Sequence, residues 1–295
     1  MPAVLSPERL KESLPDVLGA VALSGLGARA EVWRDVQGIP HIRAASTRDA
    51  FLAQGCVHAQ DRLWHMEYDR RRAYGRWAEY AGPSALAQDI QMRRFRLEAS
   101  ARADYAAVNA ETRAMLDAYA EGVNAFIQTT HALPIEFRLV EARPEPWKPW
   151  DSLAVFKVRH VQMGVWQTKA WRARLLRHLG PTKTAQLCPG TQPNPALIVP
   201  PAVEYRGPAV DGLKELSEGE AAVAHLPEWE NGSNNWALDG SRTKSGYPLL
   251  CNDTHLPLRL PHVWFQVQIH TPERNVYGIN IPGVPGIVIG FNNDI

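Results

Sequence analysis

The sequence has little of several features that would indicate common classes of function. Its three cysteines, Cys56, Cys188 and Cys251, are far apart and odd in number, so they indicate neither a disulfide framework nor a zinc site. Acidic and basic residues nearly balance at a formal charge of +1, which gives no indication of a nucleic-acid or membrane partner. No apolar run approaches the roughly 20 residues that a helix needs to span a bilayer.

Familiar catalytic and targeting signatures are also missing. The sequence contains no nucleophile elbow, phosphate-binding loop, His-Glu-x-x-His zinc motif or calcium loop. Its N-terminus lacks a basic start leading into an apolar segment, and the mildly apolar stretch Leu18–Leu26 follows acidic residues and contains Gly19 and Gly25. We therefore predict a cytoplasmic protein, with the periplasm as the alternative.

What the sequence has is an ordinary globular composition in which helical patterns are followed by strands. A strand, a turn and a second strand are predicted within Ala30–Ala45. Apolar residues at helical spacing then predict four longer helices. These cover about Thr47–Gly82, Glu111–Ile127 (capped by Asn109), Asp151–His160 and Lys169–Leu179 (stopped by Gly180 and Pro181).

The basic run Arg70–Arg72 lies within the first of these helices. Asp61, Glu67 and Asp69 precede it at distances that allow pairing along one helix. We therefore interpret the run as a solvated helix face with intrahelical ion pairs, and not as a nucleic-acid site.

From Pro189 the helical pattern is lost. Prolines are dense at first, and Asp211–Glu220 is acidic and weakly patterned. We interpret residues 205–232 as an excised or flexible spacer. The alternative is an ordinary surface loop, which would be unusually long for a compact domain.

After Ser233 the sequence favours strands. Alternate positions are apolar in the clearest of them, as expected for a half-buried strand. The apolar positions are Val263, Phe265, Val267 and Ile269.

The Gly232–Ser233 junction lies at this switch and indicates a bond that is cut to make Ser233 a new N-terminus. A serine hydroxyl is a weak nucleophile until a base takes its proton. An α-amino group titrates at about pH 7.7–8, so an N-terminal serine carries its own base. Gly232 suits the cut because a residue without Cβ tolerates strained backbone. Taken alone, Asn-Gly-Ser is more typical of an ordinary turn than of a cleavage site.

Six motifs extend this observation along nearly the whole chain. They are Val36–Ile42 (VQGIPHI), Ala59–Trp64 (AQDRLW), Pro144–Trp147 (PEPW), Gly232–Trp236 (GSNNW), Gly246–His255 (GYPLLCNDTH) and Ile281–Asp294 (IPGVPGIVIGFNND). Together and in this order they resemble the penicillin acylase family of N-terminal-nucleophile (Ntn) amidohydrolases, which includes acyl-homoserine lactone acylases.

The resemblance implies an α+β fold, an αββα sandwich of the Ntn-hydrolase type with a largely helical N-terminal subunit. Residues 1–204 would form that α subunit, residues 205–232 the spacer, and residues 233–295 the start of a sheet-forming β subunit. The last motif stops part-way at Ile295, so we interpret the chain as truncated. The remainder of the β subunit would be its partner in an αβ heterodimer. The resemblance places the oxyanion-hole donors beyond Ile295, and the chain alone is therefore predicted to be inactive.

The implied function is an amidohydrolase precursor that cleaves itself at Gly232–Ser233. Ser233 would then hydrolyse small N-acyl amides, such as β-lactam side-chain amides or acyl-homoserine lactones, through an acyl-enzyme. The alternative is a non-catalytic truncated fragment that acts as a binding or assembly module.

His255 falls where some members of the family have a histidine able to hydrogen-bond the nucleophile and others have glutamine. A lone histidine in such a position is also often structural. Asp253 and His255 suggest a Ser-His-Asp triad. Residues two apart on an extended chain point the same way, but we expect them not to line up through the ring, and we reject the triad.

Leu256, Ile289 and, less directly, Met163 match positions that line the acyl pocket in the family; ordinary core packing is the alternative. Because all three are aliphatic, we predict a preference for medium aliphatic acyl groups over phenylacetyl.

No cofactor is implied for catalysis. Many relatives place a calcium-binding glutamate where this chain has Lys169, and a lysine ammonium offers calcium no oxygen donor. We therefore predict no calcium on the helix that carries Lys169.

Overall fold

The computed structural model of the protein describes residues 6–164, 166–188, 208–223 and 232–294. Its N-terminal part is largely helical. The helices are α1 (Pro7–Lys11), α2 (Thr47–Tyr74), α3 (Ala78–Ala81), α4 (Leu86–Phe95), α5 (Leu97–Ala107), α6 (Ala110–Thr129), α7 (Ile135–Leu139), α8 (Pro149–Met163), α9 (Trp166–Leu187) and α10 (Pro208–Ala222). None of these described helices is long and apolar enough to cross a membrane.

Seven strands complete the described structure. They are β1 (Glu31–Arg34), β2 (Pro40–Arg43), β3 (Ser233–Leu238), β4 (Leu249–Thr254), β5 (Phe265–His270), β6 (Asn275–Asn280) and β7 (Ile289–Phe291). Five of them form one sheet in the order β1-β2-β5-β6-β7, in which β2 and β5 run parallel and the other neighbours antiparallel. β3 and β4 form a separate antiparallel pair. The larger sheet therefore contains strands from both sides of the Gly232–Ser233 junction.

The long helix α2 is fixed at both ends and broken once. It begins where the Ser46 side chain accepts a hydrogen bond from the Asp49 N–H at 3.1 Å, and it ends at Gly75 with a left-handed φ of 61°. At Arg62 the backbone leaves helical geometry, with φ −140° and ψ 20°. The Arg62 guanidinium donates to the His262 carbonyl at 2.7 Å, and so joins the helix to the segment before β5.

Helices α2 and α6 cross in direct backbone contact. A Cβ atom on Gly122 would overlap the Leu52 carbonyl, and one on Gly55 would overlap the Tyr119 carbonyl. Both positions therefore require glycine, because any side chain would force the two helices apart.

The apolar core lies mainly around this crossing and under the larger sheet. Its first cluster includes Leu63, Met66, Tyr119, Trp147 and Ile281. A second cluster packs α2 against the sheet and includes the inward residues Phe265, Val267 and Ile269 of β5. The alternation predicted for this strand is thereby confirmed.

Several boundaries agree with the sequence. The strand–turn–strand pattern becomes the antiparallel pair β1 and β2. Helix α6 begins after Asn109, whose side chain accepts from the Thr112 N–H at 2.8 Å. Helix α8 begins at Pro149, slightly before the predicted start, and Asp151 caps it by accepting from the Lys148 N–H at 2.8 Å.

The prediction of a solvated basic face at Arg70–Arg72 is wrong. Each of the three arginines is only 4% exposed. The predicted pairing does occur, since Arg70 and Arg71 both contact Glu67 and Arg72 lies 3.6 Å from Asp69. Glu67 and Asp69 are buried together with the arginines, and a buried guanidinium is tolerable only with such partners.

The predicted end of α9 also needs correction, and the predicted spacer at 205–232 is helical in part, while its excision stays a prediction. Helix α9 does not stop at Gly180, where φ is 75°, but kinks there and continues to Leu187. Residues 208–222 of the predicted spacer form α10, which packs on α4 and α9 and is tied to α9 by an Arg174–Glu220 ion pair at 3.0 Å. Tertiary contacts have compensated for its weak apolar pattern. The rest of the predicted spacer, 205–207 and 224–231, lies outside the described residues.

Candidate active site

Ser233 is the first residue of β3 and is exposed at the surface. Pairing with β4 sets it opposite Thr254, in a register that continues to Leu238 opposite Leu249. The strand pair thus fixes the backbone of the predicted nucleophile and leaves its hydroxyl accessible. No hydrogen bond of that hydroxyl is found within the part of the chain that the structure describes.

The carbonyl group before Ser233 is held by the residue after β4. The His255 backbone N–H donates to the Gly232 oxygen at 3.0 Å. This carbonyl belongs to the bond predicted to be cut. The donor therefore points at the atom on which negative charge would develop during attack by Ser233.

The side chains of Asp253 and His255 contact each other. The His255 Nε2 and Asp253 Oδ2 atoms are 2.8 Å apart, and both side chains are about half exposed. The Asp–His half of a triad therefore forms, because β4 ends at Thr254 and His255 lies just past the regular strand. No contact of the His255 ring with Ser233 is found among the described residues, and the rejection of the triad stays a prediction.

Gly232 has no local need for glycine in this uncut chain. A Cβ atom added there would meet nothing within 4 Å, and its φ lies outside the left-handed region. The backbone at Gly232 is therefore not strained in the uncut state, and the expected need for glycine at the cut has no support from this geometry.

A cavity of about 480 Å³ opens beside Leu256, the residue that follows His255. It lies between the kinked middle of α2, the end of α8 and the loop from Leu256 to Val263. Of the three predicted acyl-pocket residues, only Leu256 lines it. Met163 is exposed at the end of α8, and Ile289 lies in β7 opposite Ile279.

Sequence reasoning missed the charged lining of this cavity. Arg62, Arg72 and Arg159 all face it, together with Arg259 on the loop. The helical spacing of His65, Asp69 and Arg72 on α2 could have indicated part of the group, since residues three and four apart share a face.

A buried polar network holds the turn between β6 and β7 against the helices. The Gln54 amide exchanges two hydrogen bonds of 2.9 Å with the Gly286 backbone. The Tyr119 hydroxyl accepts from the Gly283 N–H at 3.0 Å and contacts His58 Nδ1 at 2.6 Å. This network joins α2 and α6 to residues that follow the junction.

Lys169, the residue on which the calcium prediction depends, is exposed on α9. The described residues contain no group of three His, Cys, Asp or Glu side chains arranged to hold a metal ion. The predicted lack of calcium on α9 stays a prediction.

Comparison with known proteins identifies the family. The penicillin amidase family matches residues 29–295. The chain belongs to the penicillin amidase family.

Individual relatives agree with this assignment. Penicillin acylase 2 proenzyme from Pseudomonas sp. (strain SE83) is 40% identical over 97% of this chain, and acyl-homoserine lactone acylase QuiP from Pseudomonas aeruginosa is 36% identical over 98% of it. The matches cover 38% and 35% of those relatives, so the chain spans little more than a third of their length. A solved structure of penicillin G acylase from Alcaligenes faecalis is 27% identical, with a TM-score of 0.46, over 59% of this chain and 98% of that one.

The family assignment confirms the resemblance drawn from the six motifs. The predicted fold class is confirmed as well: this member of the penicillin amidase family combines a largely helical N-terminal part with sheet.

Proposed function

We propose that the protein is the precursor of an amidohydrolase that cleaves its own Gly232–Ser233 bond and then hydrolyses N-acyl amides with Ser233. The observation that carries the proposal is the hydrogen bond from the His255 N–H to the Gly232 carbonyl, next to an exposed serine at the start of a strand. Family membership and the word proenzyme in the name of one relative give further support.

Self-cleavage would begin when Ser233 Oγ attacks the Gly232 carbonyl carbon. The His255 N–H stabilises the resulting oxyanion, a donor of the kind whose loss costs about 2.7–4 kcal/mol elsewhere. Collapse of the intermediate breaks the C–N bond, the leaving nitrogen takes up the proton lost by the hydroxyl, and the acyl group has moved from nitrogen to oxygen. Water then hydrolyses the ester, which frees the Gly232 carboxylate, the Ser233 hydroxyl and a new α-amino group.

Turnover uses the same serine. The free amine of Ser233 takes the proton of its own hydroxyl, because an α-amino group is partly unprotonated near neutral pH. The hydroxyl attacks the substrate amide, the amine product leaves, and water releases the acid from the acyl-enzyme. The contact with Asp253 gives the His255 ring a fixed orientation beside this site.

The substrates in this proposal are small N-acyl amides, with β-lactam side-chain amides and acyl-homoserine lactones as the two candidate classes. The names of the relatives include both classes. The remainder of a β subunit would complete the site, and residues 1–295 alone would be inactive. No observation favours the alternative of a non-catalytic binding fragment.

The decisive experiment replaces Ser233 in the full-length protein. Ser233→Ala should remain one chain and show no amidase activity, whereas wild type should yield a fragment whose N-terminal sequence begins Ser-Asn-Asn-Trp. Ser233→Cys supplies a better nucleophile and should still cleave the junction, but turn over amides poorly. An active wild-type enzyme in which Gly232 stays joined to Ser233 would exclude the free-amine mechanism.

A further inference from the structure

The cavity beside Leu256 has more buried positive charge than its carboxylates balance. Arg72 is 4% exposed and Arg159 is 11% exposed at its side chain. Among the described residues, both guanidinium groups have the same carboxylate within 4 Å, that of Asp69. Arg159 Nε lies 2.9 Å from this carboxylate, and the Arg72 guanidinium lies 3.6 Å from it. Two buried guanidinium groups therefore share one buried carboxylate.

Two more arginines line the cavity without a carboxylate of their own. Arg62 donates to the His262 carbonyl, and neither it nor Arg259 forms an ion pair with any described residue. Two further carboxylates line the cavity, Glu136 and Asp61. Arg34 already holds Asp61 in a bidentate pair at 2.8 and 2.9 Å.

Unused hydrogen-bond donors accompany this charge. Arg72 Nε is buried and has no partner among the described residues, and the same is true of His65 Nδ1. Arg159 donates to His65 Nε2, so that nitrogen carries no proton and the proton lies on Nδ1. Burial lowers the pKa of His65 to about 4, so the neutral ring persists at neutral pH.

A buried cation without a counter-charge is strongly unfavourable, and so is a buried donor without an acceptor. An anion that enters the cavity would supply the missing charge, whereas Arg72 Nε and His65 Nδ1 have no accessible surface and lie beyond its reach. A guanidinium binds carboxylates well, since its planar fork matches the two carboxylate oxygens.

We propose that this cavity is a subsite for a carboxylate carried by the substrate, bound by Arg72, Arg159 and Arg259. The inference rests on the proposed amidase function of Ser233. Leu256 lines the cavity and directly follows His255, whose N–H holds the Gly232 carbonyl, so one peptide bond connects the cavity lining to the residue at the cleavage junction. The carboxylate can belong to the acyl part or to the amine part of the amide.

Three matched amides distinguish these sources: butanoyl anilide, succinyl anilide, and butanoyl 4-aminobenzoate. The full-length enzyme should hydrolyse one of the two carboxylate-bearing amides with a kcat/KM at least about tenfold above that of butanoyl anilide, as charge-assisted hydrogen bonds allow. Arg72→Gln and Arg259→Gln should each remove most of this preference, measured as the ratio of kcat/KM for the carboxylate-bearing amide to kcat/KM for butanoyl anilide. Arg29→Gln, which removes an exposed charge outside the cavity lining, should leave the preference unchanged.

A binding measurement separates this inference from the proposed function. Calorimetric titration of the full-length Ser233→Ala precursor with succinate should show saturable binding, weakened about tenfold by Arg259→Gln and unaffected by Arg29→Gln. Arg259 is exposed, so its replacement tests the subsite even if Arg72→Gln fails to fold. Equal hydrolysis of all three amides, or no saturable binding, would overturn the inference but leave the amidase proposal standing. If none of the amides is hydrolysed, the amidase proposal fails and the titration alone decides the subsite.

Discussion

At the scale of single residues, His58 is a fully enclosed titratable group of the network around the β6–β7 turn. Its side chain has no exposed surface. The Asn280 amide nitrogen lies 3.2 Å from Nε2, so Nε2 accepts and the ring proton lies on Nδ1, which donates to the Tyr119 hydroxyl. Burial, and next the charge of Arg62, lower the pKa of His58 to about 3.

This buried neutral histidine predicts acid sensitivity. Above about pH 6.5 the ring is neutral in both the folded and the unfolded chain. Between that pH and the folded pKa of about 3, only the unfolded chain binds the proton. The free energy of unfolding should therefore fall as the pH falls, by about 1.4 kcal/mol per pH unit for this one group. Urea unfolding of Ser233→Ala between pH 7 and pH 4 measures the slope without interference from cleavage.

Two variants test the source of that slope. His58→Gln should reduce the dependence of the unfolding free energy on pH by the contribution of about one proton. His178→Gln, on the exposed face of α9, should leave that dependence unchanged. An equal slope in His58→Gln and its parent would show that other groups cause the acid sensitivity.

Residue chemistry was only partly predictable from the sequence. Ser233 could be singled out because its chemistry depends on a local junction and a motif that lie next to each other in the chain. The Asp253–His255 contact was missed, since it depends on where β4 ends. Arg159 and Asp69 are 90 residues apart along the chain, and no local pattern records that they meet.

At the scale of elements, the crossing of α2 and α6 positions the turn after β6. Tyr119 on α6 and Gln54 on α2 hold the turn after β6, and both helices approach closely because Gly55 and Gly122 have no side chains.

Gly122→Ala should therefore destabilise the protein by several kcal/mol, since its Cβ would overlap the Leu52 carbonyl and separate two packed backbones. Gly212→Ala is the matched control, because Gly212 lies in helix α10 with nothing within 4 Å of an added Cβ. That change should stabilise by about 0.5–1 kcal/mol, as alanine does in an open helix. Thermal or urea unfolding of both in the Ser233→Ala background checks the pair. Equal effects would mean that the crossing tolerates a wider spacing.

Elements with a strong local pattern were the ones that the sequence predicted. Helix α6 has a cap at Asn109 and a continuous apolar stripe, and β5 has strict alternation. Helix α10 contains Gly212 and Gly219 and has an acidic sequence, and contacts with α4 and α9, such as Arg174 with Glu220, hold it. Helix α10 is stabilised by helices that are distant from it in the chain, so its own sequence pattern was not enough to predict it.

At the scale of the whole molecule, the larger sheet joins the two sides of the predicted cut. Strand β2 pairs in parallel with β5, so that His41 lies opposite Gln268 and Arg43 opposite His270. The reciprocal Gln54–Gly286 bonds add a second connection across the same boundary. A break at Gly232–Ser233 would therefore cut the chain without cutting the sheet.

The two products of cleavage should consequently stay together as a heterodimer. Under native conditions, size exclusion of the cleaved full-length protein should give one peak that contains both chains, at the same volume as uncut Ser233→Ala. The chains should separate in strong denaturant, when the shared sheet and its apolar core are lost. Mixing experiments add a control: a tagged β chain from one preparation should not exchange into an untagged preparation without denaturation, because exchange requires β5 to leave β2. Separate native peaks for the two chains would show that the shared sheet does not hold them together, and rapid exchange would show that it opens readily.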